Sequence, residues 1–264
     1  MEKDWATLKN PAPGALEEAR ERAHAALQWA AKAAIANLPP APDDSHTALL
    51  WDAEAGRLAT QPLPLGVTVS FDVATLEIEV TRDGQAVRRG PAGAWLDEAL
   101  REAGLKPTSG VKLPYEIPAK SLSVGNEKEN LATLARWYAA AADVLADARD
   151  RTTAYRPGPG PARLWPHHFD LAVLVAFDAK GDKSIGFGFS PGDEFYAQPY
   201  FYISPYPGPK DPKLPALPAG HWHTKEFFGA VATGEELLAK PAPRAAALAL
   251  IDAAFQAGKG WLHV

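Results

Sequence analysis

Residues 171–177, Leu-Ala-Val-Leu-Val-Ala-Phe, are apolar at every position. A strand with one wet face alternates apolar and polar residues, whereas a strand covered on both faces does not. This run therefore predicts a central strand with both faces buried. Because such a strand needs neighbouring strands and covering layers, we expect the rest of the chain to build a sheet with helices packed on it.

Patterns elsewhere predict the other elements. Val67, Val69 and Phe71 alternate with polar residues, as the buried face of a strand does, and Asp83-Gly84 is typical of a hairpin turn. Helical spacing predicts helices at 15–38, 95–103, about 126–149 and 244–257, with the last ended by Gly258. The predicted fold class is α+β, an antiparallel sheet flanked by helices.

The order helix, strands, helix occurs twice, in residues 15–104 and 129–258. The sequence thus predicts two α+β halves, 1–125 and 126–264, packed as one compact body. A degenerate internal duplication would explain the repeated order. Chance would also explain it, since helix–strand–strand arrangements are common and the matching residues are few.

Composition excludes several classes of function. The net charge is −5 with no cluster of Lys and Arg, unlike a nucleic-acid-binding face. No apolar run reaches the roughly 18 residues of a membrane span. The absence of cysteine excludes disulfides, thiolate metal sites and a cysteine nucleophile, and fits a reducing compartment. The first ten residues lack the apolar core of a signal peptide, so a cytoplasmic protein is expected.

Short motifs follow one another in the second half of the chain. They are Trp165-Pro166-His167-His168-Phe169-Asp170, Ser190-Pro191-Gly192-Asp193, Pro199-Tyr200-Phe201-Tyr202 and Phe228-Gly229-Ala230. In this order they resemble an uncharacterised family of small bacterial proteins, with Trp-Pro-x-His-Phe-Asp, Ser-Pro-Gly-Asp, Pro-Tyr-x-Tyr and Phe-x-Gly-Ala motifs, over residues 164–238. The last motif is matched only in the shorter form Phe-Gly-Ala. The family pattern has glutamate where this chain has His167. The resemblance implies no activity, and it points only to a neighbourhood for the site.

The spacing of histidines and an aspartate in the second half of the chain suggests a metal site. Side chains at i and i+2 of an extended segment share a face, which pairs His168 with Asp170 and His221 with His223. Together the four offer three imidazoles and one carboxylate, a set suited to Zn²⁺, or to Fe²⁺ or Mn²⁺ if coordination positions stay open. Such an ion could activate water. Without a metal, His168 and Asp170 could act as a catalytic acid–base pair.

Further residues are predicted to bind a ligand at the same place. Tyr200 and Tyr202 should lie on the face opposite Phe201, while Trp165 begins the first motif and Glu194 directly follows the second. The leading hypothesis is a small-molecule enzyme or binder with a His/Asp/Tyr pocket; whether it catalyses a reaction stays open. One alternative is a metal-free structural or ligand-binding module. Another is a protein-interaction domain that uses the aromatic, proline-rich surface from Tyr206 to Trp222.

Overall fold

The computed structural model describes residues 5–8, 14, 16–117 and 128–264. The chain divides into two units, and segments of the two units alternate along the sequence. The N-terminal unit comprises Ala15–Ala135 and Arg163–Phe169, and the C-terminal unit comprises Met1–Gly14, Arg136–Ala162 and Asp170–Val264. The boundary predicted at residues 125 and 126 lies outside the described residues.

The described residues form five helices and twelve strands. The helices are α1 (Glu17–Asn37), α2 (Trp95–Glu102), α3 (Lys128–Asp150), α4 (Gly234–Leu238) and α5 (Pro243–Leu262). The strands are β1 (Leu49–Asp52), β2 (Arg57–Thr60), β3 (Val67–Asp72), β4 (Glu77–Arg82), β5 (Gln85–Pro91), β6 (Gly158–Pro159), β7 (Arg163–Trp165), β8 (Asp170–Ala176), β9 (Ser184–Ser190), β10 (Tyr200–Tyr206), β11 (His221–His223) and β12 (Gly229–Thr233).

In the N-terminal unit, the strands pair in the order β7-β1-β2-β3-β4-β5, and each pair is antiparallel. Residues of β3 alternate between buried and half-buried, as predicted. Asp83 and Gly84 join β4 to β5 with positive φ angles of 50° and 77°, which confirms the predicted hairpin turn. Helix α1 packs on β2 and β3, and its buried residues include Ala23, Leu27 and Ala30.

In the C-terminal unit, the order is β11-β12-β10-β9-β8, with β6 pairing to β8, again antiparallel throughout. Helices α3 and α5 both pack on one face of this sheet. Trp137 of α3 stacks on Phe189 at a centroid distance of 6.1 Å, and Phe255 of α5 meets Phe187 edge-on at 6.4 Å. The predicted α+β fold, with antiparallel sheet flanked by helices, is therefore confirmed.

The other face of this sheet carries the polar residues. Side chains alternate along β10, so Tyr200 and Tyr202 lie opposite Phe201, which packs against Trp5 on the helical face. Across the ladder from Tyr202 stands Gly188, which has no side chain to cover the phenol ring. The predicted placement of the two tyrosines is confirmed, and their face is where the candidate site lies.

The predicted burial of both faces of β8 is wrong. Leu171, Val173 and Val175 are fully buried, but Leu174 keeps 53% of its surface exposed. Leu174 pairs with Gly186, whose lack of a side chain leaves the leucine without a large neighbour across the ladder. The strand thus has one face in the core and one that meets solvent, although its sequence is apolar throughout.

The end predicted for the last helix is also wrong. Helix α5 continues through Gly258 to Leu262 and ends where His263 adopts the left-handed conformation, with φ of 54°. A Cβ atom at position 258 would lie 2.9 Å from Cδ1 of Ile185. Gly258 therefore allows α5 to approach β9 closely and does not end the helix. Within the described residues, none of the helices combines the length and apolarity needed to cross a bilayer.

Candidate functional site

The Trp-Pro-His-His-Phe-Asp motif forms a turn between β7 and β8. The backbone N–H groups of His168 and Phe169 both donate to the carbonyl oxygen of Trp165, at 3.2 and 2.8 Å, and Phe169 has a positive φ of 58°. The face-sharing predicted for His168 and Asp170 assumed an extended segment, so that argument is wrong. His168 belongs to the N-terminal unit and Asp170 to the C-terminal unit.

Helix α1 holds this turn within the N-terminal unit. Nε2 of His24 lies 2.7 Å from the carbonyl oxygen of Pro166, and the amide of Gln28 donates to the same oxygen at 2.9 Å. The His24 ring stacks on Phe169, with centroids 5.1 Å apart and planes 6° from parallel. Burial lowers the pKa of His24, although the hydrogen bond to Pro166 opposes this effect. His24 therefore anchors the turn as a neutral imidazole.

The two histidines of the motif lie at the surface. His167 and His168 are exposed, and their ring centroids are 4.2 Å apart. Partial loss of hydration, together with the neighbouring His168, lowers the pKa of His167. Trp165, predicted as a ligand-binding residue, is half-buried in β7 and meets the His167 ring edge-on at 6.0 Å.

Asp170 begins β8 and is bound by a tyrosine of β10. The hydroxyl of Tyr202 donates to Oδ2 of Asp170. Burial and the negative charge of Asp170 raise the pKa of Tyr202, so the phenol keeps its proton. A second phenol–carboxylate pair lies beside the first, where Tyr200 donates to Oδ2 of Asp193 at 2.5 Å.

Asp193 also organises the turn of the Ser-Pro-Gly-Asp motif. Its Oδ1 accepts the backbone N–H groups of Phe195 at 2.9 Å and Tyr196 at 3.1 Å. Burial and the Asp193 carboxylate raise the pKa of Tyr200. Glu194, the residue predicted to bind a ligand, is exposed on this turn, and its neighbour Asp193 is the carboxylate that contacts the tyrosines.

A second cluster of polar side chains lies at the edge of the same sheet. The hydroxyl oxygen of Tyr196 is 2.9 Å from Nε2 of His221 and 2.8 Å from Nδ1 of His223. Nδ1 of His221 in turn lies 3.2 Å from Oε1 of Glu236. We refer to Tyr196, His221, His223 and Glu236 as the Tyr196 cluster.

Local structure explains how the cluster assembles. His221 and His223 stand two residues apart in edge strand β11, so both rings lie on one face, as predicted, while Trp222 stacks on Phe228 on the other. Glu236 is held by a capping box at the start of α4, where its carboxylate accepts the backbone N–H of Thr233 at 2.8 Å. The sequence predicts this cap, but it carries no sign that Glu236 also reaches His221.

The hydrogen bonds assign the proton positions of the cluster when both rings are neutral. A carboxylate only accepts, so Nδ1 of His221 carries the hydrogen that faces Glu236. Nε2 of His221 is then an acceptor for the Tyr196 hydroxyl. Because the phenol donates its only hydrogen there, it accepts from Nδ1 of His223. Nε2 of His223 is left as a lone pair that is buried and has no hydrogen-bond partner among the described residues.

Two phenylalanines surround the His223 ring. Phe227 stacks on it at 4.0 Å with planes 10° apart, and Phe195 meets it edge-on at 6.0 Å. Phe195 itself is 38% exposed. The His223 ring is therefore half-buried beside two apolar rings, and its Nε2 atom is buried.

The predicted set of four metal ligands does not come together. Across the described ranges, no three His, Cys, Asp or Glu side chains are grouped so that they could hold a metal ion. Asp170 is bound to Tyr202, whereas His221 and His223 both face the Tyr196 hydroxyl. The hypothesis of one ion bound by His168, Asp170, His221 and His223 is therefore corrected.

A cleft of about 370 Å³ lies elsewhere in the C-terminal unit. It is lined by Trp5, Thr7 and Leu8 and, from α3, by Arg136, Ala139, Ala140 and Asp143. Asp143 accepts a hydrogen bond from Nε of Arg244 at 2.7 Å. None of the residues predicted for the site lines this cleft, so the polar face of the sheet stays the candidate site.

Comparison of the chain with protein-family models, with curated proteins and with solved structures found no match. The resemblance carried by the Trp-Pro-x-His-Phe-Asp and Ser-Pro-Gly-Asp motifs therefore stays a prediction. The functional hypothesis rests on the geometry of the site alone.

Proposed function

We propose that the C-terminal unit binds a small polar molecule at the Tyr196 cluster and exchanges a proton with it. The observation that carries this proposal is that two imidazoles share one phenol hydroxyl, with His221 at 2.9 Å and His223 at 2.8 Å from the oxygen. Imidazole and phenol are both groups that enzymes use in general acid–base catalysis.

The cluster offers a path for a proton that a ligand donates to Nε2 of His223. His223 would pass its Nδ1 hydrogen to Tyr196, and Tyr196 would pass its own hydrogen to Nε2 of His221. The positive charge then lies on His221, whose Nδ1 faces the Glu236 carboxylate at 3.2 Å. A negative charge at this distance favours the protonated imidazole.

The protonated state of Tyr196 suits this path. Burial and the negative charges of Glu236 and Asp193 raise the pKa of Tyr196. A phenol that keeps its hydrogen at neutral pH can donate to one imidazole while it accepts from another. Because of this shift, the link between His221 and His223 is maintained in the resting state.

A ligand would reach the cluster from the edge of the sheet. His221 is exposed, and Tyr196 and His223 are half-buried. Nε2 of His223 becomes accessible when Phe195 swings away from the imidazole, because Phe195 lies partly exposed beside that ring. We therefore expect ligand binding to be coupled to movement of the Phe195 side chain.

The proposal is tested by screening small hydroxyl- and amine-bearing fragments against isotope-labelled protein by NMR. Fragments that bind should shift the side-chain signals of His221 and His223. Loss of one hydrogen bond to a ligand costs about 1 kcal/mol or more, so His223→Gln should weaken binding by at least about fivefold. Tyr206→Phe is the matched control, since Tyr206 is exposed at 64%. Fragments that bind equally well to His223→Gln and to the unmodified chain would contradict the proposal.

A second candidate is protein interaction through the proline-rich surface between Tyr206 and Trp222. The indole N–H of Trp222 donates to the carbonyl oxygen of Pro215 at 2.8 Å, which fixes the segment on the fold. Leu214 remains 41% exposed beside it. A proline-rich segment that is fixed on the fold and exposes an apolar side chain is a feature that binding partners recognise. Leu214→Asp should abolish such an interaction and leave fragment binding unchanged.

The purely structural alternative makes a different prediction. If the Tyr196 cluster only stabilises the fold, Tyr196→Phe should lower the free energy of unfolding and no fragment should bind near it. For the cellular setting we propose the cytoplasm, because a chain without cysteine fits a reducing compartment. Membership of the uncharacterised bacterial family suggested by the motifs is likewise a proposal, and it adds no activity.

A further inference from the structure

We propose that Tyr196, His221 and His223 bind a transition-metal ion, through the phenolate oxygen, Nε2 and Nδ1 respectively. This inference goes beyond the proposed function, since it assigns a metal ion to the same cluster. It replaces the four ligands suggested by the sequence with a set in which a phenol, and not a carboxylate, is the third ligand. Imidazole nitrogens suit Zn²⁺, Cu²⁺, Fe and Ni²⁺, and Zn²⁺ is the ion that we assign as the default.

The distances within the cluster fit a shared ion. Zn–N bonds are about 2.0–2.1 Å long, so two ligands separated by roughly 90–110° at the metal lie about 2.9–3.4 Å apart. The Tyr196 oxygen is 2.9 Å from Nε2 of His221 and 2.8 Å from Nδ1 of His223. The distance from the Tyr196 oxygen to each histidine nitrogen is therefore within a few tenths of an ångström of the spacing that two ligands of one ion need.

The position of the histidines favours the same conclusion. They occupy alternate positions of edge strand β11, which directs both rings to one face and leaves them half-buried or exposed rather than packed in the core. The strand fixes their backbone, because β11 pairs with β12 through the register His221 to Val231 and His223 to Gly229. An ion could enter from the edge of the sheet without opening the fold.

Glu236 has the role of a positioning residue for His221. Its carboxylate faces Nδ1 at 3.2 Å and so directs Nε2 towards Tyr196. Histidines that bind metals commonly donate their second ring N–H to a carboxylate, and loss of this outer partner typically lowers metal affinity about 10–100-fold. Glu236 is itself fixed by the capping box with Thr233, so this orientation is built into the start of α4.

Metal binding changes the protonation of Tyr196 and the tautomer of His223. The ion replaces the hydroxyl hydrogen of Tyr196, which leaves to solvent as one proton per ion bound. His223 moves its hydrogen from Nδ1 to Nε2 so that Nδ1 can coordinate. Three protein ligands leave a fourth position for water or a small ligand, as in catalytic zinc sites. The same three atoms carry the proton path of the proposed function, so that path operates only in the metal-free chain.

The test uses the full chain without a histidine tag, freed of metal by a chelator. Equilibrium dialysis against Zn²⁺ should give one tightly bound ion per chain. Cu²⁺ should bind in its place and produce a visible charge-transfer band from the phenolate, and this band should be absent in Tyr196→Phe. His221→Ala and His223→Ala should each weaken Zn²⁺ binding by at least about tenfold, as expected for loss of a direct ligand.

Three further variants separate this site from other metal-binding surfaces. Glu236→Gln should weaken Zn²⁺ binding about 10–100-fold, whereas Glu235→Gln, which changes the exposed neighbouring carboxylate of α4, should leave the Zn²⁺ affinity within about threefold. A His167→Ala/His168→Ala double variant removes the exposed pair of the N-terminal unit and should keep the full stoichiometry. Thermal unfolding checks that each variant is folded before metal binding is compared.

Failure to bind one Zn²⁺ per chain would overturn the metal site. So would a Cu²⁺ complex whose spectrum is unchanged in Tyr196→Phe, or a loss of binding in the His167→Ala/His168→Ala variant. The proposed function is tested separately by measuring fragment binding in the presence of chelator. If fragments still bind there and no metal does, only the metal site is wrong.

Discussion

The Tyr202 hydroxyl oxygen lies 2.6 Å from the point that a Cβ atom at Gly188 would occupy. The two residues face each other across the β9–β10 ladder. The bare glycine backbone is what lets the phenol lie flat over β9 and reach Asp170 on β8. The small residue at position 188 thus determines where the polar face of the sheet places its tyrosines.

Gly188→Ala should therefore destabilise the chain. The added methyl group would also lie 2.9 Å from the carbonyl oxygen of Leu171, and backbone cannot move aside as a side-chain tip can. Overpacking of this kind typically costs about 1–3 kcal/mol. Gly186→Ala in the same strand is the control, because its Cβ would find only ordinary contacts, 3.9 Å or more away. Urea unfolding should show a loss for the first variant and little change for the second.

The two faces of β8 provide another test. Val173 is fully buried and Leu174 is 53% exposed, although they are neighbours of similar size. Val173→Asp should destabilise by several kcal/mol, since an unpaired buried carboxylate is costly. Leu174→Asp should cost less than about 1 kcal/mol, as most exposed substitutions do. Equal losses from the two substitutions in chemical unfolding would contradict the one-sided burial of this strand.

His24 should make stability depend on mildly acidic pH. Burial lowers its pKa in the folded chain below the usual value. The unfolded state then binds more protons, so stability is fully present above about pH 6.5 and is lost as the pH falls below that value. His24→Gln should flatten this dependence in unfolding experiments across the range, whereas the exposed His263→Gln should leave it unchanged. A profile unaltered by His24→Gln would show that His24 is not the group responsible.

Local periodicity predicted those parts of the site that lie within one strand. The shared face of His221 and His223, and that of Tyr200 and Tyr202, follow from the period of two of an extended chain. The pairing of His168 with Asp170 failed because Phe169 has a positive φ and the motif turns back on Trp165. A positive φ is uncommon for phenylalanine, so the residue type does not predict this turn.

The rest of the site depends on contacts between distant residues. Tyr196 is 25 residues from His221, and Glu236 is 15 residues beyond it. Their meeting is set by the order in which β10, β11 and β12 pair and by the cap of α4, which the sequence does not specify in advance. Similarly, the sequence predicts that Gly258 ends the last helix, because the contact of this position with Ile185 on β9 is seen only in the structure.

The central claim, that Tyr196 bridges His221 and His223, is tested most directly by the tautomers of the two histidines. Long-range proton–nitrogen NMR correlations of the metal-free chain at neutral pH distinguish hydrogen on Nδ1 from hydrogen on Nε2. We expect the Nδ1–H tautomer for both rings, because Glu236 accepts from His221 and Tyr196 accepts from His223. In Tyr196→Phe the His223 ring should lose this preference. An Nε2–H tautomer for His223 in the unmodified chain would contradict the claim.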